Sequence, residues 1–158
     1  MNKISEDTSL FTDIELLYRD DKKYFDLAIT KKGDLKADTS WDTGVNLALL
    51  TDGRADNSEV SRPENQRGTI VDIFTERKNG SKLWLLEQSR NDAGALNRAI
   101  DYCKNALKYF IDFNYVQNVF VDGRRTAEGI RLDISILGKS GEIDKYRYDA
   151  WNNSLYKQ

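Results

Sequence analysis

Carboxylates are the acid–base groups this sequence supplies in quantity: 26 Asp and Glu residues stand in a chain of 158 that contains no histidine. The side chain that most often serves as a general base near neutral pH is therefore missing, and every His-dependent triad is excluded. Two carboxylates facing each other across a cleft are enough to cleave a glycosidic bond. Glu87, at the end of the apolar run Leu83-Trp84-Leu85-Leu86, is the residue best placed for a pKa raised by burial. A charged side chain is ordinarily solvated, so a plain surface charge is the stronger reading of Glu87. A carboxylate-dependent peptidoglycan hydrolase of lysozyme-like type, with Glu87 as acid, stands as the alternative function.

Other chemistry finds less support. Cys103 is the only cysteine; it has no partner for an internal disulfide, no thiol or imidazole neighbours for a zinc site, and no histidine to lower its pKa. Its place on an apolar helical stripe makes it a packing residue. Gly123, Gly129, Gly138 and Gly141 flank turns without forming a GxGxxG or Walker pattern, and Arg124-Arg125 reads as a solvated basic pair rather than a phosphate site. No catalytic residue, metal or cofactor is expected.

Residues suited to holding a protein partner are easier to find. Asp52, Arg54, Arg62, Arg67 and Asp72 mix both signs over a polar stretch, where Arg–carboxylate pairs can dock on a neighbour or remain solvated. Trp41, Trp84 and Trp151 are of the type favoured at interface centres, although core burial is the commoner fate of each. The 24 basic residues nearly balance the acidic ones, for a formal charge of −2. Such a chain has no overall field to attract DNA or a membrane, so its partners should be proteins rather than nucleic acid, lipid or a small-molecule substrate. The N-terminus lacks the apolar run of a secretory signal and no stretch is apolar enough to span a bilayer, which points to the cytoplasm.

These residues need elements to position them. Ile14, Leu16 and Tyr18, then Phe25, Leu27 and Ile29, alternate with polar neighbours at the period of half-buried strands, joined by a charged turn over Arg19–Lys23. Lys32-Gly33-Asp34 is a second turn. Trp41, Val45, Ala48 and Leu49 follow at helical spacing, with Ser40 or Asp38 as cap and Gly53 beyond the end. Residues 52–67 contain the only proline, Pro63, show no apolar period, and read as a long surface loop. The short runs Thr69–Phe74 and Leu83–Leu86 fit strand or helix equally.

The clearest element is a helix over Ala93–Phe113, whose stripe of Leu96, Ile100, Cys103, Leu107, Phe110 and Ile111 would run about 30 Å. Asn91 or Asp92 is its natural cap. Three strands follow at Val116–Asp122, Gly129–Leu137 and Ile143–Asp149, with turns at Gly123–Glu128 and Gly138–Gly141. Short loops between consecutive strands make an antiparallel meander with one face on the helix. The expected class is α+β: a two-layer single domain over residues 1–158, with a long amphipathic helix packed on an antiparallel sheet, a C-terminal three-stranded meander, and residues 1–9 disordered.

The order of motifs along this frame resembles the baseplate protein family of Mu-like phages and prophages. Gly33-Asp34-Leu35, Leu49-Leu50-Thr51-Asp52-Gly53-Arg54-Ala55, Arg67-Gly68 with Asp72, Gly80-Ser81-Lys82-Leu83-Trp84-Leu85-Leu86, Ala106-Leu107-Lys108-Tyr109-Phe110 and Trp151 carry the match, from about residue 10 to 152. Where the family shows paired tryptophans after Arg-Gly, this chain has Thr69-Ile70. The resemblance implies a wedge subunit of a contractile tail baseplate, made in the host cytoplasm and placed in the virion beside the spike or hub and a larger wedge subunit. It is related to a small wedge protein whose relatives have carried a lysozyme-like label. Asp52, Arg54, Arg67, Asp72, Lys82 and Trp84 are then the candidate partner-binding residues. A host-directed regulatory adaptor is a third reading of the same surface.

Overall fold

The computed structural model describes residues 13–19, 24–38, 40–70, 72, 79–88, 93–150 and 152–158. The chain divides into two compact units, Met1–Gly44 and Val45–Gln158. The class is α+β, with antiparallel sheets and a long helix packed on the larger one.

In the first unit β1 (Asp13–Ile14) pairs with β4 (Ala37–Asp38), and β2 (Leu16–Arg19) pairs with β3 (Tyr24–Leu27), both antiparallel. The expected strand over Ile14–Tyr18 is thus divided at Glu15, which changes partners. Its amide donates to the Lys36 carbonyl and its own carbonyl accepts from Ala28. Buried Thr43 spans the junction: its hydroxyl donates to the Ile14 carbonyl at 3.0 Å and accepts from the Leu16 amide at 3.1 Å. The Gly33 turn forms as expected, with Gly33 at φ +89° and Thr30 Oγ1 accepting from the Asp34 amide. The Arg19–Lys23 turn lies largely outside the described residues, as do residues 1–9.

Helix α1 (Asp42–Leu50) follows the predicted spacing, and Ser40 Oγ accepts from the Asp42 amide at its start. Val45, Ala48 and Leu49 are buried. The long helix α2 (Ala95–Asp112) is two residues shorter at its start and one at its end than the sequence suggests. Its buried face is also rotated. Ala95, Ala99, Cys103, Leu107 and Phe110 are enclosed, while Ile111 is 41% exposed. Small alanines lie inside, and bulkier Leu96 and Ile100 are only partly buried. The candidate caps Asn91 and Asp92 are outside the described residues.

The C-terminal sheet is an antiparallel meander in the order β5 (Asn118–Thr126), β6 (Gly129–Leu137), β7 (Ile143–Asp149) and β8 (Ser154–Lys157). It has the three expected strands and a fourth, β8, too short and polar to register as a strand by alternation. Along β6, Ile130, Leu132, Ile134 and Ile136 are buried, and Tyr146 and Tyr148 of β7 join them opposite Ile134 and Leu132. The first hairpin is tighter than predicted. β5 continues through Gly123-Arg124-Arg125, and only Ala127 and Glu128 make the turn. Gly123 reads as a turn residue in sequence but serves the packing: a Cβ there would sit 3.0 Å from both Ile100 Cγ1 and Leu132 Cδ2. Its lack of a side chain lets α2 lie against the sheet.

Candidate functional site

The resemblance motifs are distant in sequence, and the second unit brings them together. Thr51–Gly53 runs beside Gly80–Ser81 as a short parallel bridge: the Gly53 amide donates to the Ser81 carbonyl at 2.8 Å, and the Ser81 amide to the Thr51 carbonyl at 2.9 Å. Both glycines are required by this approach. Gly80 has φ +80°, and a Cβ on it would lie 2.5 Å from the Thr51 carbonyl oxygen. One on Gly53 would meet the Gly80 carbonyl group at 3.1 Å. No side chain fits between the two segments without moving them.

The bridge hands the chain into a 3-10 helix over Lys82–Gln88, which settles the ambiguous Leu83–Leu86 run; Ser81 Oγ accepts from the Leu83 amide at its start. Leu83, Trp84, Leu85 and Leu86 are all buried. Trp84 packs with Ala55, and its indole Nε1 donates to the Gly53 carbonyl at 2.8 Å. The Arg67 guanidinium stacks 4.4 Å above the indole and pairs with Asp52 at 2.9 Å. Arg67 reaches this position from a left-handed backbone, φ +49°, followed by Gly68 at φ +97°.

The expected surface loop is only partly a surface. Gly53, Ala55 and Gln66 are buried, and Pro63–Asn65 forms a 3-10 turn. The Ala55 amide donates to the Gln66 carbonyl, Arg54 Nη2 donates to Gln66 Oε1 at 2.6 Å, and Gln66 Nε2 donates to Asn57 Oδ1 at 2.7 Å. These bonds fold the loop back onto its own first residues. Arg62 is exposed and its side chain joins none of these contacts among the described residues.

Lys82 and Asp72 are fixed in the same way. Lys82 Nζ meets Asp56 Oδ2 at 2.7 Å and Glu59 Oε2 at 2.6 Å. Burial alone would lower the Lys82 pKa, but the hydrogen bonds and charges of the two carboxylates raise it. Partial burial likewise pushes Glu59 up, and its bonds to Lys82 and the Asp56 amide bring it below the ordinary value. Tyr102 donates to Glu59 Oε1 at 3.3 Å, and burial together with that negative charge raises the phenol's pKa. For Asp72 burial again works upward, but the amides of Asn79 at 2.9 Å and Thr69 at 2.6 Å outweigh it, aided by the charge of Arg54. Glu59 and Asp72 are thus shifted toward the ionised form, the opposite of what a general acid requires.

Asp52, Arg54, Arg67, Asp72, Lys82 and Trp84 therefore belong to one connected cluster, stitched by residues that the sequence did not single out: Gln66, Asn57, Asp56, Glu59 and Tyr102. The two glycines facing across Thr51–Gly53 and Gly80–Ser81 were the available signal, since glycine recurring beside polar motifs marks close backbone approach. Cys103 is fully buried on α2, and burial drives its thiol pKa far up. The side chains of Glu87 and Trp151 lie outside the described residues, and Trp41 is half-buried.

The signature residues of this α+β chain lock two distant segments of it together. The chain belongs to the phage protein GP46 family, whose model matches residues 41–143 and so contains the whole cluster. It is also 29% identical over 125 residues to baseplate protein gp46 of Escherichia phage Mu, an alignment covering 77% of this chain and 86% of that protein. The Mu-like family expected from the motifs is the one found.

Proposed function

We propose that this chain is a non-catalytic structural subunit of a contractile phage or prophage tail baseplate, working through protein–protein contacts in a wedge beside the hub. Residues 1–158 act as one baseplate module, assembled in the host cytoplasm and carried in the virion. The relation to the Mu baseplate protein supports the location. One observation carries the non-catalytic reading: the polar motif residues are bonded to each other. Arg67 with Asp52 and Trp84, Lys82 with Asp56 and Glu59, and Asp72 with two backbone amides form a fixed scaffold around a buried indole.

Within this reading the six candidate residues act on partners mainly by shaping the surface. Arg67 and Asp52, each 43% exposed, are the pair best placed to touch a neighbouring spike, hub or larger wedge subunit directly. The hydrolase alternative draws no support from the cluster, because Glu59 and Asp72 are shifted toward the ionised form. The test is genetic. A phage deleted for this chain should make no sheathed tails, and Glu87→Gln should restore them fully. Arg67→Ala should lower tail yield while the purified protein remains folded. Normal tails without the protein, or peptidoglycan clearing by wild type that Glu87→Gln abolishes, would overturn the proposal.

A further inference from the structure

Asp or Asn directly precedes glycine at three points in the sequence: Asp52-Gly53, Asn79-Gly80 and Asp122-Gly123. At such a pair the glycine nitrogen can close a five-membered ring on the side-chain carbonyl carbon, because glycine has no Cβ to obstruct the approach. The nitrogen must first lose its proton, so an amide already committed to a hydrogen bond is held back. The structure separates the three pairs on this criterion. The Gly53 amide donates to the Ser81 carbonyl at 2.8 Å, and Asp52 is paired with Arg67. The Gly123 amide donates to Asp122 Oδ1 at 2.8 Å, within β5. The Gly80 amide has no acceptor among the described residues.

The side chain of Asn79 is equally uncommitted. Its main-chain amide donates to Asp72 Oδ1 at 2.9 Å, but its carboxamide has no partner among the described residues. Asn79 also offers a neutral carboxamide, which can release ammonia, where the other two pairs offer a carboxylate. Asn79 and Gly80 are half-buried and border two open hollows of about 310 and 470 Å3, which gives water access to them.

We infer that Asn79 is a self-modification site. The Gly80 nitrogen attacks Asn79 Cγ, the new N–C bond replaces Cγ–Nδ2, and ammonia leaves with the proton of the Gly80 amide. Water then opens the cyclic imide, giving hydroxyl to a carbonyl carbon and a proton to the nitrogen. Opening at the side-chain carbonyl leaves Asp; opening at the main-chain carbonyl leaves isoaspartate, with one more carbon in the main chain. Asp sets a second carboxylate beside Asp72. Isoaspartate lengthens the chain next to Gly80, where an added Cβ would already lie 2.5 Å from the Thr51 carbonyl oxygen. The Gly53–Ser81 and Ser81–Thr51 hydrogen bonds are then displaced, so the lock between the two segments has a chemical lifetime.

The test incubates the full chain in mildly alkaline buffer, folded or unfolded in guanidinium chloride, and maps isoaspartate on peptic peptides by enzymatic methylation. Folding should slow reaction at Asp52 and Asp122 by more than about tenfold, and at Asn79 by less, because a segment that is already open needs little local unfolding. The aged fraction carrying isoaspartate at position 79 should unfold at a lower denaturant concentration than fresh protein. Asn79→Gln, whose longer side chain does not close the five-membered ring, should remain unmodified and keep its midpoint over the same period. Protection of Asn79 by folding as strong as that of Asp52, isoaspartate accumulating equally in Asn79→Gln, or an unchanged midpoint in the modified fraction would overturn the inference. None of these outcomes bears on the baseplate reading.

Discussion

Replacing Gly80 by alanine tests the reasoning about the cluster most sharply, because two separable costs fall on one atom. The first is conformational. At φ +80° an L-residue is strained by about 1 kcal/mol relative to glycine. The second is steric: the new Cβ would lie 2.5 Å from the Thr51 carbonyl oxygen and 3.0 Å from the Gly53 amide nitrogen. Both atoms are main chain, so relief requires the segments to separate, weakening the Gly53–Ser81 and Ser81–Thr51 hydrogen bonds. Each bond contributes about 1 kcal/mol net. The sum is a destabilisation of about 2–4 kcal/mol. Gly141→Ala is the matched control, since Gly141 belongs to the same unit, has φ +92°, and would place its new Cβ with nothing within 4 Å. It should cost about 1 kcal/mol. In urea, with a slope of about 2 kcal/mol per molar, the midpoint should fall by about 1–2 M for Gly80→Ala and about 0.5 M for Gly141→Ala. Equal shifts would refute the claim that backbone approach, rather than backbone dihedral alone, requires glycine at position 80.

Further outcomes follow from the same contacts. Trp84→Phe keeps most of the apolar volume but loses the bond to the Gly53 carbonyl, and should cost about 1–2 kcal/mol in denaturant melts, against about 3–5 for Trp84→Ala. Gly123→Val should cost about 1–3 kcal/mol by pressing on Ile100 and Leu132, and a gain in stability from a better strand former would contradict the packing account. Asp72 and Glu59 have folded pKa values below their ordinary 3.8 and 4.5. Their contribution is complete above those values and lost as pH falls through the depressed folded ones. Melting temperature should therefore drop between pH 5 and pH 3, and less steeply in Asp72→Asn. Lys82 is shifted the other way, above 10.5, so its contribution persists below that pH and fades only as the solution becomes more alkaline. The Cys103 thiol, buried and held protonated, should resist alkylation at pH 8 until the protein is unfolded in denaturant.

The architecture was legible where one physical signal dominated. The 3.6-residue period of α2 and the alternation of Ile130, Leu132, Ile134 and Ile136 each report a single buried face, so helix and meander were read directly. The rotation of the buried stripe toward Ala95 and Ala99 is hidden because alanine carries little hydrophobic signal. Gly123 misled for the same reason: a glycine required by a neighbouring helix looks like a glycine required by a turn. β8 is too short and polar for alternation to report, and the divided strand at Glu15 depends on its pairing with Ala28 and Lys36. At the site, motif order singled out residues that the structure joins in one cluster, but not their relation. Asp52 and Arg67, or Trp84 and Gly53, are contacts across tens of residues, and Gln66, the buried amide that joins Arg54 to Asn57, sits in a stretch whose composition reads as solvent-exposed.

The central claim is that these side chains fit the chain into an assembly instead of moving protons or bonds. Quantitative mass spectrometry of purified tails, with the baseplate located by electron microscopy, addresses it most directly. The account predicts this protein at a fixed integer ratio to the other baseplate subunits and density for its helix-on-sheet module at the baseplate. Intact, contractile tails from which the protein is absent would contradict it.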